Sequence, residues 1–188
     1  VHMRHDGPMS FYNATASFYN ATAVQAVLGI SKQTRQRLTA ARLLNPEGGT
    51  REARYPAAQV EALRDAADAP DTDAIVVRLG PPTLVDATDE TPARWIGWNE
   101  EWPEERQQEA ARRYWNLAHP EGDIGKPLIA AMADWAVAAW RITDARRNPW
   151  GATEYTLSED PEVQGAWRLK NLHLGPGIVG AIRWPRHA

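Results

Sequence analysis

The sequence predicts an α+β protein in which a small helical domain comes first and a compact β-rich domain follows. Residues 1–64 carry eight Lys or Arg against four Asp or Glu, a balance of +4, whereas residues 65–188 carry thirteen against twenty, a balance of −7. All nine tryptophans lie at or after Trp95. A chain of 188 residues can hold two small domains, each with its own core. Because charge and large aromatics are segregated, two domains is the simpler interpretation.

Composition excludes several classes of site. The chain has no cysteine, which excludes disulfides and cysteine-based zinc sites, and its five histidines lack the spacing of metal ligands. No motif for a nucleophile or a phosphate-binding loop is present. The longest apolar run, residues 128–140, contains Asp134 and falls short of the ~18 residues that a membrane span needs. With no leader before residue 20, the sequence predicts a cytoplasmic protein without a membrane span, metal site, catalytic residue or cofactor. Eighteen Arg against three Lys, with abundant alanine, indicate a bacterial source.

The first 20 residues are predicted to form a flexible N-terminus. They include the heptapeptide SFYNATA at residues 10–16, which is repeated without change at residues 17–23. Two copies of seven residues are too few and too short for a stacking repeat. A local duplication is the simpler explanation, with the second copy entering the first helix.

Residues 21–44 predict two short helices around a tight turn. Gly29 supplies the turn, and Ser31 stands where a helix N-cap belongs. Between Lys32 and Arg42 there are four cations and no acid. A helix with this charge presents its polar face to water or to an anion, which is typical of a recognition helix in a helix-turn-helix protein. Six apolar residues at helical spacing are expected to share one core: Val24, Val27, Leu28, Ile30, Leu38 and Ala41.

A turn, a short ribbon and a third helix follow. Residues 45–49 contain Asn, Pro and two Gly, which predict the turn. Residues 50–55 alternate as on a β-ribbon, and the third helix begins at Pro56 and directs Val60 and Leu63 toward the core. The order helix, turn, helix, ribbon, helix predicts a winged helix-turn-helix, with the ribbon as its wing.

Five short motifs carry a family resemblance. They are Leu28–Gly29–Ile30–Ser31 at the turn, Leu43–Leu44–Asn45–Pro46 after the second helix, Gly48–Gly49 in the wing, Arg54–Tyr55 at its end and Gln59–Val60–Glu61–Ala62–Leu63 in the third helix. This set resembles the MerR-type and excisionase-type winged-helix family, although that family has an apolar residue at the position of Arg35 and a glycine at that of Arg42. The resemblance implies a DNA-binding domain at residues 21–67, followed by a linker at residues 68–73. The long dimerising helix of MerR regulators is missing, and a homodimer is left open.

Helical geometry assigns opposite faces of the second helix to the core and to DNA. The residues expected to face the core are Thr34, Leu38 and Ala41. On the opposite side Gln33, Gln36 and Arg37 are candidates for base edges, because glutamine pairs with adenine and arginine with guanine. The candidates for phosphate contacts are Lys32, Arg35, Arg51 and Arg54, with Tyr55 beside them on the wing. The alternative is a helical adaptor whose charged face is only solvated.

Residues 74–188 predict a small, strongly curved sheet. Six or seven strands are expected, in the segments 74–80, 94–98, 128–133, 135–143, 154–158, 167–172 and 177–185. A helix beginning at Pro103 and running to about Leu117 is inserted early. Short strands with one inserted helix predict a β-barrel.

Five pieces of this half carry a second resemblance: the opening strand at 75–79, the aromatic strand at 95–98, the helix end at 113–115, the hairpin end at 139–143 and the closing strand at 181–184. They resemble the PUA-like superfamily of β-barrels, which includes EVE and ASCH domains. That implies a barrel which binds RNA or accepts a flipped base in an aromatic-walled cleft. An unstacked base needs aromatic faces and polar groups, and the candidates are Trp95, Trp98, Asn99 and Trp115. Core packing is the alternative for each tryptophan, and the acidic balance favours a compact pocket over an RNA groove.

These observations together predict a transcriptional regulator. Its winged helix is expected to bind double-stranded DNA, and its barrel a nucleotide, modified base or small effector. One alternative is a nucleic-acid-processing or defence enzyme that the winged helix delivers, with Lys126, Asp134, Glu154 and Lys170 available for acid–base chemistry but matching no motif. The other is an excisionase-like architectural protein.

Overall fold

The computed structural model describes residues 18–49, 52–88, 93–175, 177 and 179–185. In these ranges the chain has a mixed α+β fold with five α-helices and a nearly closed, barrel-like sheet of six strands. The elements of the first half are β1 (Phe18–Asn20), α1 (Ala21–Leu28), α2 (Lys32–Ala40), β2 (Arg54–Pro56) and α3 (Ala57–Arg64). Those of the second half are β3 (Ala74–Leu79), β4 (Thr83–Val85), β5 (Arg94–Ile96), α4 (Glu104–Ala111), β6 (Arg113–Trp115), β7 (Pro127–Met132), β8 (Trp135–Arg147), β9 (Thr153–Ser158), α5 (Pro161–Trp167) and β10 (Gly180–Trp184).

The turn between α1 and α2 forms as the sequence predicts. Gly29 ends α1 in the left-handed conformation, with φ 65°, and its N–H donates to the carbonyl of Gln25. Ser31 caps α2, since its hydroxyl accepts a 3.0 Å hydrogen bond from the N–H of Thr34. At the other end of α2, Arg42 also has a left-handed φ of 62°. The helix therefore exits through a conformation that favours glycine, although arginine occupies the position.

Side chains from the three helices of the first half share one core. Five of the predicted core residues are buried, and these are Val24, Leu38, Ala41, Val60 and Leu63. Val27, Leu28 and Ile30 pack against this core while partly exposed. The prediction of a flexible N-terminus is wrong for residues 18–20, because they form β1 and pair with β2. The first copy of the repeat, residues 10–16, lies outside the described residues.

A short ribbon lies between α2 and α3 in the chain. The backbone of Arg54 exchanges two hydrogen bonds, of 2.8 and 3.0 Å, with that of Glu47. On its other side Arg54 pairs with Asn20 of β1. The turn between the two sides is closed by a 3.0 Å bond from the N–H of Glu52 to the carbonyl of Gly49. The ribbon is therefore joined to the start of α1 through β1.

The six-stranded sheet has the order β10-β3-β7-β8-β9-β6, in which only β3 and β7 are parallel. Both faces of β3 are buried: Ile75 and Val77 belong to the main core, whereas Val76 packs with α5 residues such as Trp167. β4 and β5 form a separate hairpin. The hairpin predicted on either side of Asp134 is confirmed as β7 and β8.

Two elements of the second half end earlier than the sequence predicts. The helix expected to reach residue 117 ends at Ala111, because Arg113 and Trp115 pair with β9 instead. The strand expected at residues 94–98 ends at Ile96. The next residue, Gly97, has φ 84°, and a Cβ there would lie 2.1 Å from the carbonyl oxygen of Pro81. The chain must therefore turn at this glycine.

The strand predicted at residues 167–172 is wrong. Residue 167 ends α5, and no strand of the described chain includes residues 168–172. The helix begins at Pro161 because Asp160 caps it, with its carboxylate accepting from the N–H groups of Glu162 and Val163. This cap and the proline are visible in the sequence and favour a helix over residues 161–167, which the sequence analysis does not include among its elements.

The two halves contact each other directly. The indole of Trp135 donates to the carbonyl of Leu63 across 2.8 Å, and both side chains belong to the same hydrophobic cluster. In the predicted linker, the N–H of Ala69 donates to the carbonyl of Asn171. The N–H of Asn171 in turn donates to the carbonyl of Ala67, just before the linker. The end of α3 and the start of the linker are thus held against the sheet. None of the described helices is long and apolar enough to cross a membrane.

Candidate nucleic-acid interface and adjoining cleft

The amino-terminal half of α2 presents a polar, cationic face to solvent. Lys32, Gln33, Gln36 and Arg37 are all exposed, whereas Leu38 is fully buried on the opposite side. The helical period separates the two sets, since side chains three or four residues apart share a face. Four of the predicted DNA-binding residues are therefore brought together on one accessible surface, which we call the α2 face.

Two other predicted DNA-binding residues, Arg35 of α2 and Tyr55 of β2, contact each other away from the α2 face. Arg35 is half-buried, and its guanidinium donates to the hydroxyl of Tyr55 and lies 5.5 Å from the centre of that ring. Tyr55 is only 1% exposed and belongs to the hydrophobic core. In the MerR-type family this position is apolar, and here an aromatic partner accommodates the Arg35 cation. This pair serves packing and is withdrawn from the α2 face.

The ribbon contributes less positive charge than the sequence analysis expected. Arg54 is exposed and its guanidinium lies 5.4 Å from the centre of the Phe18 ring. Arg51 lies outside the described residues. Glu47 and Glu52 are both exposed on the same ribbon. Among the described residues of the ribbon, two exposed carboxylates therefore accompany one exposed arginine, and this part of the ribbon is not a strongly cationic surface.

The carboxyl end of α2 is closed by acidic residues of the second half. The carbonyl of Ala41 accepts a 2.9 Å hydrogen bond from the N–H of Glu100. Next to it, the Arg42 guanidinium lies 3.7 Å from the Glu101 carboxylate. An exposed pair of this kind contributes little stability, and its one carboxylate offsets the charge of Arg42. Along α2, the charge that favours an anion therefore lies at the amino-terminal half of the helix.

A cleft of about 450 Å³ lies between the α2 face and the second half. One wall comes from the α1–α2 turn and α2 and includes Ser31, Gln33 and Arg37. The other comes from the ends of β3 and β7 and includes Arg78 and Asp134. Sequence reasoning missed Arg78, although a single cation inside the apolar strand of residues 74–79 is a visible signal.

The main chain passes close to Arg78 at one edge of the cleft. A Cβ at Gly177 would lie 1.9 Å from Nη1 of Arg78, so a larger residue there would displace the guanidinium. The Asp134 carboxylate accepts a 2.8 Å hydrogen bond from the N–H of Gly175. Arg78 and Asp134 therefore both lie against the segment that leads into β10, and Asp134 anchors it.

The four residues predicted to bind a base do not form an aromatic cleft. Trp98 is fully buried and its ring centre lies 6.3 Å from that of Trp140. Trp115 is 8% exposed, and its indole donates to the carbonyl of Ala111. Asn99 uses its side-chain oxygen to accept the N–H of Glu101, which stabilises its own loop. Among the four, these three therefore serve the core or a turn.

Trp95 differs from the other three. It is 37% exposed on the β4–β5 hairpin and packs edge-to-face on Trp102, with ring centres 5.5 Å apart. Leu84, opposite Trp95 in that hairpin, is 53% exposed. Arg106 lies 5.9 Å from the Trp102 ring centre. This exposed aromatic hairpin is the part of the predicted base site that a ligand can reach.

The most buried carboxylate belongs to a satisfied network. Asp123 is 1% exposed and accepts from the hydroxyl of Tyr155 at 2.7 Å and from the guanidinium of Arg183 at 3.2 Å. Burial, together with the adjacent carboxylate, raises the pKa of Tyr155 far above its usual range. Tyr155 therefore stays protonated as a donor, and the network joins β9 to β10 without offering a reactive group.

Comparisons with other proteins add no further guide. No protein-family model, curated protein or solved structure matches this chain. In the part of the chain that the structure describes, no three acidic or histidine side chains are grouped so as to hold a metal ion. The α2 face, the cleft beside it and the exposed aromatic hairpin are therefore the surfaces from which function has to be inferred.

Proposed function

We propose that this chain is a DNA-binding regulator in which α1, α2, the ribbon and α3 act as a winged helix-turn-helix. The observation that carries the proposal is the α2 face, where Lys32, Gln33, Gln36 and Arg37 are all exposed. No acidic residue occurs between residues 18 and 46. A surface of cations and amides suits duplex DNA, because cations pair with phosphates while arginine and glutamine pair with base edges.

The position of these residues on α2 supports the same use. In helix-turn-helix proteins the amino-terminal residues of the recognition helix contact the bases. All four residues of the α2 face lie in the first six residues of α2. Glu100 and Glu101 close the other end of the helix. Major-groove DNA would therefore approach the amino-terminal half, with Gln33, Gln36 and Arg37 toward base edges and Lys32 toward phosphate.

The second part of the proposal is that the other half binds a nucleotide, modified base or small effector. Contacts between the halves support a regulatory connection, since the loop at Glu100 bonds directly to the end of α2 and Trp135 bonds to the end of α3. An effector that moves either contact would move the α2 face. Such coupling requires the ligand to bind the two arrangements with different affinity.

Selection of bound genomic DNA fragments tests the proposal. The full chain is expected to enrich a defined sequence. Arg37→Ala should relax the preference at one base position, because a bidentate contact to guanine contributes about 1–3 kcal/mol of discrimination. Arg54→Ala should weaken binding to all duplexes alike and leave the enriched sequence unchanged, because a phosphate contact carries no sequence information.

Arg64→Ala is the matched control, since Arg64 is exposed at the end of α3 and forms an ion pair with the neighbouring Asp65. It should leave both affinity and preference unchanged. If the folded full chain enriches no DNA sequence, sequence-specific DNA binding is rejected. Loss of preference in Arg54→Ala but not in Arg37→Ala would reject the assignment of α2 as the recognition helix.

A further inference from the structure

We infer that the cleft between α2 and the second half is the effector site, and that its ligand is an organic phosphate of mononucleotide size. The volume of about 450 Å³ lies in the usual range of small-molecule sites, roughly 300–1,000 Å³. Both halves of the chain supply its walls. A ligand bound there would contact Gln33 and Arg37 of the α2 face directly.

The charge of the cleft selects an anion. Arg37 and Arg78 line opposite walls, and Asp134 is the single carboxylate among the lining residues. One oxygen of that carboxylate is occupied by the N–H of Gly175. Cations therefore outnumber carboxylates two to one among the lining residues, although residues 65–188 have a balance of −7. Guanidinium groups present a planar set of donors that matches phosphate oxygens.

The remaining lining residues suit the uncharged part of such a ligand. Ile30 and Leu79 are apolar residues of the two walls, and Val179 at the rim is 55% exposed. Ser31 and Gln33 add a hydroxyl and an amide. A cleft with cations, a few polar groups and apolar walls fits a phosphate joined to a flat or apolar moiety better than inorganic phosphate alone.

Arg37 would then have two uses, and this step rests on the proposed function. A ligand that holds the Arg37 guanidinium in the cleft removes it from the base edge that it contacts in DNA. The effector and duplex DNA should therefore compete. By linkage, DNA must weaken effector binding by the same factor by which the effector weakens DNA binding.

Calorimetric titration of the full chain without DNA tests the site. The probes are the eight 5′-mononucleotides of RNA and DNA and inorganic phosphate, each taken to millimolar concentration. At least one mononucleotide should bind more tightly than inorganic phosphate. Arg78→Met should weaken it about tenfold or more, because a hydrogen-bonded charge pair is lost. Arg64→Met, which removes a cation that does not line the cleft, should leave binding unchanged.

The Gly177→Ala variant tests the position of the Arg78 guanidinium while keeping its charge. The added Cβ would lie 1.9 Å from Nη1 of Arg78, the far end of a flexible side chain, so the guanidinium has to move while the charge remains. This variant should weaken the nucleotide as Arg78→Met does. Equal binding by wild type, Arg78→Met and Gly177→Ala would overturn the site, and so would the absence of binding by every mononucleotide.

The DNA measurements are independent of these titrations. The bound nucleotide should weaken DNA binding by wild type and not by Arg78→Met. If Arg78→Met instead weakens DNA binding when no nucleotide is present, the cleft holds a backbone phosphate of DNA and the effector assignment is overturned. If the chain binds a nucleotide in the cleft but no DNA, the site stands and the proposed function fails.

Discussion

The α2 face and three tryptophans of the second half, Trp95, Trp98 and Trp115, are both predicted binding surfaces, yet they differ in exposure. Lys32, Gln33, Gln36 and Arg37 are all exposed, whereas Trp98 and Trp115 are buried. The difference follows from solvation. Removing an unpaired charge from water costs several kcal/mol, so a run of cations fixes which face is exposed. Burying an indole is favourable both in the core and against a ligand. The presence of a tryptophan therefore does not tell whether it packs in the core or binds a ligand.

Arg35 shows the limit of that rule. It belongs to the same run of cations, yet it is half-buried because Tyr55 offers both a hydroxyl and a ring. The partner comes from a residue twenty positions away, on β2. Charge therefore predicts exposure only where no distant partner is available, and a sequence does not reveal such a partner directly.

Stability measurements on Trp98 and Trp95 should give the largest contrast. Trp98→Ala should lower the free energy of unfolding by about 3–5 kcal/mol, because it empties a fully buried site. Trp95→Ala should lower it by less than about 1.5 kcal/mol, since it loses only the edge-to-face contact with Trp102. Urea unfolding followed by far-UV circular dichroism measures both. If Trp98→Ala does not fold, Trp98→Phe should still be less stable than Trp95→Phe, and the reverse order would contradict the placement of Trp98 in the core.

A smaller contrast is expected between Arg35 and Arg37. Arg35→Met keeps the apolar stem but leaves the buried hydroxyl of Tyr55 without its donor, which should lower the free energy of unfolding by about 1–3 kcal/mol. Arg37→Met, at an exposed position two residues away, should change it by less than about 0.5 kcal/mol. The same unfolding experiment applies to both. Equal stability of the two variants would show that the contact of Arg35 with Tyr55 does not stabilise the fold.

Much of the fold can be predicted from local signals. Gly29 and Ser31 mark the turn between α1 and α2, and the apolar runs on either side of Asp134 mark β7 and β8. These signals act within a few residues, through backbone conformation and capping. The same kind of signal, Asp160 followed by Pro161, marks the start of α5, a helix that is absent from the predicted elements.

Other features depend on partners that are remote in sequence. Helix α4 ends early because β6 pairs with β9, about forty residues later. In the cleft, Arg78 lies beside Gly177, almost a hundred residues later in the chain. Neither contact leaves a periodic signal. The candidate site was therefore predictable as a helix face, while the cleft beside it was not.

The salt dependence of DNA binding by Lys32→Ala tests the central claim most directly. Log affinity should fall linearly with log salt concentration, and each phosphate contact contributes about 0.9 to the slope. Removing Lys32 should make the slope shallower by about 0.9. Lys170→Ala, which removes the same charge from the second half, should leave the wild-type slope. Equal slopes for wild type and both variants, or a shallower slope only in Lys170→Ala, would contradict the account of α2 as the helix that binds DNA.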